Sequence, residues 1–242
     1  PMYWVRPPRN LSAQPGMHRF VWNLYYTPAT DRQGGYPISA IVHDTPREPQ
    51  GLLAEPARYT VRLTVNGHSY TQPLTIKQDP RVKTPAAGLA REYALAGRIY
   101  TAMRRDYQAL NGVKHLRTQL AALHGRATDS TLARAIDALD GKAAALTGGR
   151  RRSGPRGGAA TGGDSASSPT LSQLNSQLGS LLQLVQNADA TPTTQAVAAA
   201  DSTIRSLAEP LARWKALMAQ DVPALNDRLR RTGLPEIVAG KR

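Results

Sequence analysis

The 242-residue chain contains no cysteine, which excludes disulfide frameworks, thiolate zinc sites and cysteine nucleophiles together. A cysteine-free chain folds equally well inside or outside the cell, so the redox compartment stays open. Aromatic residues are sparse: three tryptophans, nine tyrosines and one phenylalanine. Hydrophobic residues make up 40% of the chain, and much of that share is alanine, so any core is thin for the length. No apolar run approaches the ~18 residues of a membrane span. The opening, Pro1-Met2-Tyr3-Trp4, is neither an initiator methionine nor a signal peptide. It reads as the start of a piece processed or excised from something longer.

Catalytic signatures are missing as well. There is no G-x-S-x-G elbow, no G-x-x-x-x-G-K-[ST] loop and no G-x-G-x-x-G fingerprint. His18, His43, His68, His115 and His124 lack the i, i+4 partners or clustered carboxylates of a zinc site. A glycosidase holds two carboxylates across a cleft. The acids of the first 83 residues, Asp31, Asp44, Glu48, Glu55 and Asp79, lie mostly beside prolines in loops. A hydrolase built on them is the distant third reading. No catalytic, cofactor-binding or metal-ligating residue is expected.

What the chain does have is positive charge: 31 Lys and Arg against 17 Asp and Glu, a net +14. The excess is spread along the length, with one dense spot at Arg150, Arg151, Arg152 and Arg156. A nucleic-acid module concentrates cations on one face and interleaves aromatics for stacking. This cluster sits instead among Gly, Ser and Ala, so a solvated loop is expected, with polyanion contact as the alternative.

Composition changes near residue 85. Every aromatic but Trp214 lies at or before Tyr107, and the first 80 residues are rich in Pro, Tyr, Val and Thr. The run Tyr59-Thr-Val-Arg-Leu-Thr-Val65 alternates apolar and polar residues with the period of a half-buried strand. Asn66-Gly67 then supplies the two positive-φ positions of a type I′ hairpin turn, before His68 to Ile76. That turn sets Leu63 opposite Tyr70 and Tyr59 opposite Leu74. Pro73 lacks an N–H, so the second strand lies at an edge or points that position outward. Met17 to Leu24 and Tyr3 to Val5 suggest further strands, and residues 27–56 read as a loop-rich insertion around Ile38 to Val42. Together they predict a β-sandwich of the immunoglobulin or fibronectin type over residues 1–83.

After Thr84-Pro85 the residues are helix formers, Ala, Leu, Gln and Arg. Leu89, Tyr93, Ala96, Tyr100, Met103, Tyr107 and Leu110 step by alternating fours and threes, a heptad seam. Gly125 fits the stop of this helix, and Asp129 can cap a second one carrying Leu132, Ile136, Leu139 and Leu146. Residues 147–168 read as a flexible basic Gly/Ser/Arg linker. Helix resumes at Pro169, with Leu171, Leu174, Leu178, Leu181, Leu182 and Val185 on one stripe. Val197 to Leu217 form another stripe that Pro210 should kink or split, and Asp221-Val-Pro opens a last short helix. The expected organisation is a sandwich, a long helical hairpin over 84–146, the linker, and a second hairpin over 169–238. The fold class is therefore α+β, the sandwich followed by an antiparallel helical bundle or coiled hairpins. The seam residues Leu89, Tyr93, Tyr100, Met103, Tyr107, Leu174, Leu178 and Leu181 are the candidate bundle or partner interface.

Pro15 to Leu24 and Arg58 to Val82 carry a resemblance. They are similar to the C-terminal region of large bacterial exported proteins built from sortilin-like, BNR-repeat β-propellers, often labelled glycosyl hydrolases. Asn23 stands where that family has Asp, and Ala57-Arg58 replaces its Pro-Gly. The resemblance implies an Ig-like module followed by helices, in a secreted or periplasmic protein whose catalytic groups lie in the propellers. It carries no functional residue to this chain. The expectation is a non-catalytic accessory module without cofactors, packing on or spacing the propellers of the same protein or another subunit and mediating assembly. Self-association is a further expectation for the helices; nucleic acid is not an expected partner. The alternative is an anionic-polymer module using the Arg150–Arg156 loop.

Overall fold

The computed structural model describes residues 11–29, 51–127, 129–148 and 168–238. They divide into two compact units, one of residues 1–100 and 182–197 and the other of residues 101–181 and 198–242. The chain is mostly helical, and its sheet has two strands, β1 (Arg58–Val65) and β2 (His68–Thr75). The expected β-sandwich is not the fold, because the described residues supply no second sheet to face the hairpin.

The hairpin forms for the reason its turn suggests. Asn66 and Gly67 take φ of 49° and 81°, which pairs Val65 with His68, Leu63 with Tyr70 and Tyr59 with Leu74. The Ile76 N–H donates to the Ala57 carbonyl at 2.9 Å, so odd-numbered β1 residues sit in hydrogen-bonded pairs. Thr60–Pro73 is then a non-hydrogen-bonded pair, and the proline removes no ladder bond.

Residues 17–24 do not make the strand their alternation suggests. The Asn23 side chain accepts from the Tyr25 N–H two residues on, the self-bonding turn that asparagine favours. Leu24 follows with φ 66°, a left-handed conformation that breaks a strand. Only a single bridge, Tyr25 to Leu53, forms there. The expected strand at Tyr3 to Val5 and the loop-rich segment around Ile38 to Val42 lie outside the described residues.

The helices are α1 (Ala86–His124), α2 (Ser130–Thr147), α3 (Leu171–Gln186), α4 (Thr194–Ser206), α5 (Ala208–Ala216) and α6 (Val222–Arg231), with a π-helical turn at Leu217–Asp221. The Asp129 carboxylate accepts from the Thr131 and Leu132 N–H groups at 3.0 Å and caps α2. Pro210 sits buried in the first turn of α5, where its missing N–H is harmless, and the helix is interrupted at Leu207 between α4 and α5 ahead of it. Gly233, with φ 69°, follows the end of α6. No helix of the described residues is long and apolar enough to cross a membrane.

In the second unit α1 and α2 run antiparallel, joined by Arg117–Asp140 at 2.7 Å and His124–Asp137 at 3.0 Å. α2 also packs on α5, the π turn and α6, and Lys142 pairs with Asp221 at 2.7 Å. In the first unit the Thr84 hydroxyl donates to the Asp189 carbonyl, and the Gln186 carboxamide oxygen accepts from the Leu53 N–H at 2.7 Å.

Candidate functional site

The buried face of α1 is set one residue away from the expected seam. Glu92, Ile99, Asp106, Val113 and Leu120 recur every seven residues, and Leu95, Ala102, Ala109, Leu116 and Leu123 follow each by three. All ten are buried. Of the expected positions, Leu89, Ala96 and Met103 are buried, whereas Tyr93, Tyr100, Tyr107 and Leu110 are half-buried at the edge. Tyr100 donates its hydroxyl to the Thr27 carbonyl at 2.7 Å, which an edge position allows. On α3, Leu174 and Leu178 are fully buried and Leu181 is half-buried. Within the second unit Met103 and Gly179 are close neighbours, so α1 meets α3 of its own chain there. Arg150, Arg151, Arg152 and Arg156 lie outside the described residues.

Two acids lie on that face, Asp106 at its centre and Glu92 at its N-terminal end, and hydrophobic periodicity had no means of finding them. Asp106 is wholly buried beside Asn175, yet neither of its oxygens nor the Asn175 amide nitrogen completes a well-formed hydrogen bond. Burial raises its carboxyl to about 7, opposed only by the neighbouring Asn175 amide. Glu92 is raised to about 7 by burial first and by the Asp189 carboxylate second, against the Ala190 N–H. Both are therefore protonatable near neutral pH. Among the described residues no group of three or more metal-ligating side chains is assembled.

A second feature is the exposed apolar face of the hairpin. Tyr59, Val61, Leu63 and Val65 share one face with Tyr70 and Leu74 across the ladder. Alternation places Arg58, Thr60, Arg62, Thr64, Ser69 and Thr71 on the other. Tyr59 is anchored edge-on against Trp22, with ring centroids 5.8 Å apart. Beyond that contact the apolar face is bare: Val61 is 51% exposed, Leu63 49% and Tyr70 63%. A half-buried strand is expected, and among the described residues no second layer covers this face. An isolated two-stranded ribbon has little stability of its own, and among the described residues no further strand pairs with either of its outer edges.

A third feature lies within the second unit. An open trough of about 910 Å³ runs along the outer face of α1 from Arg105 to Gln119, bounded by Leu211, Trp214, Met218, Ile237 and Val238. Gly112 makes room for its wall, since a Cβ there would stand 2.6 Å from the Trp214 ring. A glycine inside a helix costs about 1 kcal/mol against alanine, and this close approach is its reason.

No family model, no curated protein and no solved structure matches this chain.

Proposed function

We propose that the chain is a non-catalytic accessory module of a larger exported protein, packing on or spacing its β-propeller domains. The reading rests on the resemblance carried by Pro15 to Leu24 and Arg58 to Val82. Its strongest structural support is the bare apolar face of the hairpin at Val61, Leu63, Val65, Tyr70 and Leu74. Exposed contiguous apolar surface marks an interaction site more often than it marks an idle one. The same hairpin carries most of the resemblance, so the residues that suggest a parent protein are also those lacking a partner. Burying a leucine or tyrosine from that face in a docked interface contributes about 1.5–3 kcal/mol each. Catalysis, in this reading, belongs to the propellers, and export follows from the parent rather than from any feature of this chain.

The test is association between this chain and the separately produced propeller portion, followed by sedimentation. Leu63→Glu with Tyr70→Glu leaves the helical content unchanged, because both side chains are already in solvent, and abolishes co-sedimentation. Co-sedimentation undiminished by the double variant contradicts the reading.

A further inference from the structure

The second unit already holds one extended segment, and the way it does so is informative. The Asn226 side chain accepts from the Ile237 N–H at 2.8 Å and donates to the Ile237 carbonyl at 3.0 Å. Gln119 does the same for the next residue, accepting from the Val238 N–H at 3.0 Å and donating to its carbonyl at 2.9 Å. Successive residues of an extended chain point their main-chain groups to opposite sides. The two amides thus clamp the segment from α6 on one side and α1 on the other, as neighbouring strands would. Ile237 is buried between them.

The trough continues from Val238 along α1. Residues 105 to 119 cover about 21 Å of helix at 1.5 Å per residue, the length of about six residues of extended chain at 3.3 Å each. Its α1 side offers Gln108 and Asn111, amides with no hydrogen bond of their own in the described structure, and the cation Arg105, which has no ion-pair partner there. Its opposite side is apolar. Trp214 comes from α5, and Met218 from the π turn, a rare conformation concentrated at functional sites. Among the described residues no acidic side chain lines the trough.

We propose that this trough is a docking site for an extended acidic peptide segment of a partner protein. The amides of Gln108 and Asn111 read its main chain as Gln119 and Asn226 read residues 237 and 238. Arg105 and His115 meet its carboxylates, and Trp214 and Met218 receive its alternate apolar side chains. The four residues that follow Val238 in this sequence, which include Lys241 and Arg242 and no acid, do not complement the charge of the trough. The site is independent of the hairpin face, so either can fail without the other.

The probe is a fluorescein-labelled peptide of about six residues alternating glutamate and leucine, long enough to fill the trough, titrated into the full-length chain. A lysine-for-glutamate version is the control. The glutamate peptide binds, the lysine peptide does not, and the indole N–H resonance of Trp214, assigned with Trp214→Phe, shifts on titration. Arg105→Glu weakens binding about fivefold or more, the size of one lost charge contact turned to repulsion. Arg62→Glu, on the hairpin, changes it less than about twofold by the same arithmetic. Absence of binding by the glutamate peptide overturns the proposal. So does an unmoved Trp214 resonance, or an Arg62→Glu loss equal to that of Arg105→Glu, which would mark general attraction to a chain of net +14.

Discussion

Asp106 on α1 and Asn175 on α3 lie side by side in the core of the helical unit, and no cation among the described residues pairs with the carboxylate. The pair makes that core polar at its centre. It also makes stability depend on pH in a definite direction. Burial holds the folded-state pKa of Asp106 up at about 7, whereas an unfolded aspartate titrates near 3.9. Between those values the folded state binds more protons than the unfolded state, so stability falls as pH rises from about 4 to about 7 and then levels. Glu92 acts in the same direction.

Asp106→Asn carries no titrating proton and removes the Asp106 part of that loss. In denaturant titrations the variant and the parent are of similar stability at about pH 4.5. At about pH 8 the variant is the more stable by more than the ~1.4 kcal/mol that one pKa unit represents. A stability difference independent of pH contradicts the burial of that carboxylate.

The stripe on α3 separates core from surface sharply. Leu178 is fully buried, and Leu184 on the same helix is 61% exposed. Leu178→Ala costs about 2–5 kcal/mol through lost transfer energy and the cavity left behind. Leu184→Ala stays within about 0.5 kcal/mol. Thermal melts of the two variants check this, and equal effects would mean that the stripe is misplaced.

Two glycines of α1 give opposite signs for the same substitution. An alanine methyl at Gly97 meets nothing within 4 Å, whereas at Gly112 it runs into the Trp214 ring. Gly97→Ala gains the helix-propensity difference of about 1 kcal/mol. Gly112→Ala loses that gain, because Trp214 must swing toward the trough, and its fluorescence emission shifts. Melting temperature and emission maximum are read on the same samples. Equal stabilisation by both substitutions contradicts the Gly112–Trp214 packing.

Several elements were legible because their determinants are local. Asn66-Gly67 fixes the hairpin register, Asp129 caps α2 with its own carboxylate, and Pro85 and Gly125 bound α1. The seam of α1 was misread by one residue because Glu92 and Asp106 occupy core positions, so apolar periodicity passes to the tyrosines beside them. The β-sandwich was misread for a different reason. Phe20 and Trp22 alternate as in a strand, but the Asn23 turn and the left-handed Leu24 bend the chain instead. The trough was invisible because its α1 side is polar, like any solvated helix face, and its far wall is brought there only by tertiary packing.

The central claim, that the hairpin face is a docking surface for a larger parent protein, is tested most directly by hydrogen exchange on residues 58–75. The measurement compares this chain alone with the complete protein that contains it. The outer edges of β1 and β2 and their bare apolar face predict fast exchange in the isolated chain, slowed at least tenfold, about 1.4 kcal/mol of added protection, when the propellers are present. Identical exchange rates for those amides in both would show that the hairpin stands free in the whole protein, and would contradict the claim.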